Sequence, residues 1–276
     1  MNPHTPQPIS INSLVVSCYR NRLLIIQMTK REVVGRYKGS VMGLLWSFLN
    51  PIFMMAIYTF VFSVVFKAKW GIGGDESQSQ FAIMLFVGMI VHGLFAEVLN
   101  RAPNLILSNV NYVKKVIFPL DILPIISIGV AVFHSLVGLL VLLIAFFLIN
   151  GYLNWSIIFT PFILLPLLIF TLGFAYMLAS LGVYLRDVGQ FIGMIMTLLL
   201  FCSPVFYPIT ALPEKYQIWM MANPITFIIE QARAVIIMGQ VPNWIGLFSY
   251  TLVAVFTAWI GYVWFQKTRK GFADVL

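Results

Sequence analysis

"NPITFIIEQARAVIIMG", Asn223 to Gly239, is apolar enough to pass for a membrane span, and the topology of the chain turns on whether it is one. Its punctuation argues otherwise. Asn223 stands where a helix takes its N-cap, Pro224 at the first helical position and Gly239 where a helix stops. About 15 helical residues at about 1.5 Å each reach roughly 22 Å, short of a hydrocarbon core about 30 Å thick. The segment is expected to dip into the membrane and return to the same side.

The rest of the chain leaves no doubt about the solvent. Hydrophobic residues make up 61% and charged residues 9%, with a mean hydropathy of +0.94, whereas soluble domains carry about 25% charge. Charge-free runs at 41–66, 81–100, 122–149, 157–182, 191–208 and 244–265 predict six spans. The polar start "MNPHTPQPISINS" lacks the short apolar core of a signal peptide, so none is expected to be cleaved. Cys18 and Cys202 lie far apart without metal-ligand spacing, which excludes a CxxC redox or zinc motif.

Charge asymmetry supports the six-span count. Arg20, Arg22, Lys30, Arg31, Arg36 and Lys38 precede the first span, Arg101, Lys114 and Lys115 lie between the second and third, and Arg186 precedes the fifth. Lys267, Arg269 and Lys270 follow the last, leaving only Lys67, Lys69, Lys215 and Arg233 outside. Both termini are therefore expected in the cytoplasm. A seventh span would expel the basic "QKTRKG" tail.

Residues 14–38 read as a helix lying on the inner membrane surface. Leu23, Ile26, Val33, Val34 and Tyr37 share one face, with Thr29, Glu32 and Arg36 opposite. Such a collar serves as a topology signal or as a docking platform for a partner or an anionic lipid. The chain should turn upward between Gly39 and Gly43. The 104–118 loop places Ile106, Val110, Val113 and Ile117 on one stripe and should form a short amphipathic helix between Pro103 and Pro119. Within the bilayer, Glu97 is expected to pair with Arg101 one turn on, and Glu230 with Arg233. His92 and His134 read as hydrogen-bonded packing residues.

No Gly-Lys dipeptide occurs, so the chain has no P-loop and any ATPase must be a separate polypeptide. The spans also lack the carboxylate or histidine relays of ion-coupled pumps. They are rich in aromatic residues instead: Trp46, Asn50, Tyr58 and Phe62 recur at fours around Pro51, and "FCSPVFYP" brings Phe201, Phe206 and Tyr207. Such stripes are lipid belts or packing, or else the wall of a pore whose flat rings suit sugars.

The Arg-Tyr-Lys-x-Ser-x-x-Gly-x-x-Trp stretch (Arg36 to Trp46), "YLRDVGQF" with Arg186 and Asp187, and "SPVFYPITALPEKYQIWMMANPITFIIEQAR" with Asn223 and Pro224 occur in one order. Together they resemble the membrane subunit of ATP-binding-cassette polysaccharide exporters, more narrowly the O-antigen permeases, with teichoic-acid and capsule exporters as relatives. The resemblance implies an all-α polytopic protein of one permease domain in the bacterial inner membrane. It also implies a homodimer with two copies of a separate ATPase that binds ATP and Mg. Its cargo would be a polyprenyl-pyrophosphate-linked glycan, with membrane lipid and no nucleic acid among its partners. This chain would hold no cofactor or metal and perform no catalysis. By the same resemblance Lys30, Arg31, Arg36, Lys38, Val110, Val113, Lys114 and Lys115 form the ATPase-coupling surface. Trp46, Asn50, Tyr58, Phe62, Phe201, Phe206 and Tyr207 line the channel. Residues 209–240 are outer gate helices with Pro224, Phe227, Glu230 and Arg233, and Arg31, Arg36 and Lys38 meet the lipid diphosphate.

Two rivals stand beside this reading. A drug or small-lipid exporter permease has the same architecture. A membrane enzyme of polyprenyl-linked glycan synthesis needs clustered carboxylates at the membrane face, and Glu32, Asp121, Asp187 and Asp274 are widely separated in sequence.

Overall fold

A computed structural model describes residues 9–65, 78–114 and 118–276, and among them every regular element is helical. The N-terminal collar is two helices, α1 (Ile11–Arg20) and α2 (Arg22–Tyr37), broken at Asn21. Ser10 caps α1 by accepting from the Ser13 backbone N–H. After α2 the chain reverses through Gly39 (φ +89°) and Gly43 (φ +50°), left-handed conformations that strain any residue with a Cβ. A turn is present where the glycines predict one.

Five helical stretches are long and apolar enough to cross a membrane: Gly43–Phe62, Gln80–Asn104, Leu120–Asn150, Trp155–Tyr184 and Trp244–Val275. Their main helices are α3 (Trp46–Tyr58), which continues as a π-helical stretch over Thr59–Val65, and α4 (Gln78–Arg101). After α5 (Val110–Lys114) come α6 (Leu123–Asn150) and α7 (Thr160–Tyr184). The expected fifth span appears as α8 (Val188–Phe201), whose 14 residues reach about 21 Å. The outer segment holds α9 (Glu214–Met221) and α10 (Pro224–Ile236), and the chain ends with α11 (Trp244–Thr268) and α12 (Phe272–Val275).

The local signals in 223–239 operate as read. The Asn223 side chain accepts from the Ile225 backbone N–H at 3.1 Å, Pro224 opens α10, and Gly239 follows it at φ +69°. The expected single helix over 104–118 is different. Its residues form 3-10 turns at Ala102–Asn104 and Leu107–Asn109 before α5. The reason is packing: Leu105 and Ile106 are drawn into the core, and a Cβ on Gly182 of α7 would collide with the Pro103 carbonyl. The loop root is thereby clamped to α7.

The core sits among α4, α6, α7, α10 and α11. Helices α7 and α11 touch backbone to backbone, since a Cβ at Gly173 would lie 2.6 Å from the Thr257 carbonyl carbon and one at Gly261 would strike Gly173. Small residues permit this approach where lipid supplies no hydrophobic drive between helices. The flanking helices are different in kind. The Gly43–Phe62 stretch that contains α3 is almost entirely unburied, and Phe191, Met194 and Leu198 of α8 are exposed.

Candidate functional site

Two clusters of polar and aromatic side chains lie at opposite ends of α4. The one at the C-terminal end of α4 joins the collar to the bundle. Arg36 of α2 meets Glu97 of α4 at 2.7 Å, and His134 Nδ1 of α6 lies 2.9 and 3.0 Å from the two carboxylate oxygens of Glu97. His134 Nε2 lies 3.2 Å from the Tyr37 hydroxyl, which suits a ring that donates from Nδ1 and accepts at Nε2. Four residues away on both helices, Arg101 donates to Glu32 at 2.5 Å. Thr29 packs against Gly129 of α6, where a Cβ would come within 2.8 Å.

This reverses the expected pairing of Glu97 with Arg101. Each acid instead takes an arginine from the other helix, because α2 packs along α6 and this sets Glu32 and Arg36 beside the end of α4. Thr29 and Glu32 of α2 are half-buried and the exposed Arg36 reaches back to Glu97, while the expected apolar face is split: Val33 is buried, Tyr37 half-buried, and Leu23, Ile26 and Val34 are exposed.

The collar also reaches the inner loop and the tail. Arg31 donates to the Tyr112 hydroxyl of α5 at 3.0 Å, and this bond raises the already high pKa of the guanidinium. Ser17 of α1 donates to Asp121 at 2.5 Å, Arg269 lies 4.0 Å from the same buried carboxylate, and Tyr176 donates to its backbone carbonyl at 2.7 Å. Asp121 thus ties both chain ends to the start of α6. Burial raises the pKa of the neighbouring Cys18 thiol, with Asp121 adding to the shift, so Cys18 stays protonated.

The cluster at the N-terminal end of α4 is aromatic around one cation. Phe62 stacks on Phe206 (5.2 Å) and on Phe81 (6.2 Å), Tyr58 meets Phe206 at 6.4 Å, and Phe201 stacks on Phe206 at 5.6 Å. Beside them Arg233 is fully buried. It donates to the Met84 carbonyl (3.0 Å), the Val205 carbonyl (3.0 Å) and Glu230 (2.9 Å), fastening α10 to α4 and to the turn after α8. The predicted Glu230–Arg233 pair is present. Asn223 adds bonds from its amide to the Cys202 carbonyl and the Ser203 hydroxyl.

A family model described as ABC-2 type transporter matches residues 24–237. The chain belongs to the ABC-2 type transporter family. Within this ABC-2 chain the match runs from α2 to the residue after α10, taking in both clusters. Among relatives, the O-antigen export system permease protein RfbA of Myxococcus xanthus is 27% identical over 263 residues, 95% of this chain and 98% of that protein. A protein of the same name from Klebsiella pneumoniae is 26% identical, covering 92% and 95% of the two chains. The polysialic acid transport protein KpsM of Escherichia coli is 21% identical, covering 87% and 91%.

The residues singled out in the sequence fall into groups. Tyr58, Phe62, Phe201 and Phe206 come together, with Tyr207 donating to the Phe201 carbonyl at 2.8 Å. Trp46 and Asn50 lie at the start of α3, away from them, and Trp46 donates to Ser40 at 3.0 Å. Lys30, Arg31, Arg36, Lys38 and Lys114 are exposed, Val110 and Val113 are half-buried, and Lys115 lies outside the described residues. Phe227 stacks on Tyr250 of α11 at 6.1 Å, and Pro224 opens α10. His92 bonds the Met196 carbonyl of α8 at 3.1 Å, a packing role as expected. Sequence reasoning missed the cross-helix use of Glu32, Glu97, Arg101 and His134. The repeat of Glu-x-x-x-Arg on α2 and α4 was the available signal.

Proposed function

We propose that this ABC-2 chain is the channel subunit of an ATP-driven exporter that carries a polyprenyl-pyrophosphate-linked polysaccharide, of the O-antigen kind, across the bacterial inner membrane. The observation that carries the reading is similarity over nearly full length to proteins named for O-antigen export. Polysaccharide transport is also the named role of the more distant relative.

The poorly buried faces of α3 and α8 favour a homodimer in which a second copy closes the path. In that arrangement α8 and the turn through Tyr207 make the fifth of six spans, α9 and α10 form the outer gate, and both termini are cytoplasmic. Aromatic rings at Tyr58, Phe62, Phe201, Phe206 and Tyr207 offer sugars flat C–H contact, and Trp46 and Asn50 stand at the inner entry. ATP and Mg belong to a separate ATPase whose motion enters through α2 and the 104–114 loop, at Lys30, Arg31, Arg36, Lys38, Val110, Val113 and Lys114 with its neighbour Lys115. Arg31, Arg36 and Lys38 provide the charge that a lipid diphosphate seeks at the inner surface. The chain itself is no enzyme.

The test is deletion of the gene in its host. Full-length glycan retained inside the cell, with none at the surface and recovery on complementation, is the expected result. Unchanged surface glycan would overturn the reading, and loss of the polymer itself, with its synthetic enzymes still active in extracts, would favour a synthetic role.

A further inference from the structure

The four charges at the α2–α4 contact have a property beyond neutralisation. Glu32 and Arg36 are four residues apart on α2, and Glu97 and Arg101 are four apart on α4. On an isolated helix that spacing and order, acid N-terminal to base, is the favourable geometry for an intrahelical ion pair. In the structure neither helix uses it: Glu32 holds Arg101 at 2.5 Å and Arg36 holds Glu97 at 2.7 Å. The four groups are partly exposed, between 18% and 40%, so they can rotate without crossing a closed core.

We propose that these residues form a partner-exchange latch. In the closed state the pairs run between helices, as seen. In the open state Glu32 folds back to Arg36 and Glu97 to Arg101, and α2 leaves α4 with the number of ion pairs unchanged. An ordinary salt bridge at a membrane surface resists opening because separation strands charges where they are poorly solvated. Here separation strands none. What is lost is the Tyr37–His134 bond, the Arg36 contact to His134 at 3.2 Å, and the packing of α2 along α6, Thr29 on Gly129 included. Glu97 keeps His134 in either state, since both lie on the bundle.

Other features fit a moving α2. Its apolar hold on the bundle is confined to the buried Met28 and Val33 and the half-buried Leu24 and Ile25, while Leu23, Ile26 and Val34 are exposed. Its C-terminal end joins α3 through Gly39 and Gly43, where an added Cβ would meet nothing within 4 Å. The turn can therefore pivot without repacking. Through Arg31 and Tyr112 the movement of α2 is passed to α5. The latch rests on the reading that α2 receives motion from an ATPase, and its test has an arm that does not need that reading.

The first arm measures opening in a chain carrying Cys18→Ser, Cys202→Ser and a reporter, Val33→Cys, probed in inside-out vesicles with a membrane-impermeant maleimide. Exchanging the charges of α2 alone (Glu32→Arg with Arg36→Glu) keeps both intrahelical pairs but sets like charges across the contact. Labelling should rise by about tenfold, as expected when two modest attractions become repulsions. Adding Glu97→Arg and Arg101→Glu restores opposite charges across the contact and should return labelling to its starting rate. Equal labelling in all three chains, or no recovery in the fourfold exchange, overturns the latch, and the recovery also separates an open helix from a misfolded one. In the second arm, Glu32→Cys with Arg101→Cys is cross-linked in the host. Export should stop and return on reduction, and export that continues with cross-linking complete overturns the need to open. Failure of the unaltered chain to support surface glycan would instead overturn the exporter reading, leaving the labelling result standing.

Discussion

The two ends of α4 use arginine in opposite ways. At the N-terminal end Arg233 is fully buried and, among the described residues, donates to the Met84 and Val205 carbonyls and to Glu230. At the C-terminal end Arg36 is 40% exposed and shares Glu97 with His134, while a second acid, Glu32, waits one turn away on its own helix. The first arrangement is sealed from water and holds elements in register. The second gives each charge an alternative partner one turn away on its own helix and lets a helix move. What separates a staple from a latch is the supply of alternative partners and of water.

The sharpest way to break this contrast is Arg233→Leu. It removes three bonds from a buried site and leaves two carbonyls facing an apolar group, a loss of about 3 kcal/mol. Thermal unfolding in detergent should show a large drop, and Arg233→Lys should fail to restore it because an ammonium lacks the planar fork. A Tm close to that of the unaltered chain would mean that the N-terminal end is no staple. Next in size is Gly88→Ala, whose Cβ would stand 3.0 Å from Arg233 Nη2 and 3.2 Å from the Val205 Cα. Crowding there should cost about 1 kcal/mol, read in the same melt.

Substitutions at the other end should be milder in stability. Glu32→Gln removes one partly exposed pair, and about 0.5 kcal/mol is expected, with export affected more than the melt. Smallest of all is Tyr37→Phe, which removes one half-buried hydroxyl and should cost about 0.5 kcal/mol or less. Burial raises the Tyr37 pKa above its ordinary value. The phenol is therefore neutral throughout the range where export is measured, and the effect of Tyr37→Phe should not change between pH 6 and pH 8. A steep pH dependence would mean that the hydroxyl titrates in place.

Much of this could be read along the chain because local rules write it there. Asn223, Pro224 and Gly239 punctuate α10 by capping geometry, Gly39 and Gly43 mark a turn by their freedom at positive φ, and apolar runs mark the five long helices. The exchange of partners at Glu97 and Arg101 was not legible. Within one helix the i,i+4 neighbour is always present, whereas a facing helix is known only after folding. The single helix expected over 104–118 failed for a related reason, since periodicity sees the stripe but not the pull of α7 on Pro103 and Ile106.

By itself, then, the sequence determined that this chain lives in a membrane, where its long helices lie and how α10 begins and ends. These follow from transfer free energies and backbone preferences that act within a few residues. Tertiary structure decided which charges meet, which part of the apolar face of α2 is buried, and that a single arginine binds α4, α10 and the turn at Val205. Those depend on distances between segments remote in sequence, and only packing sets such distances.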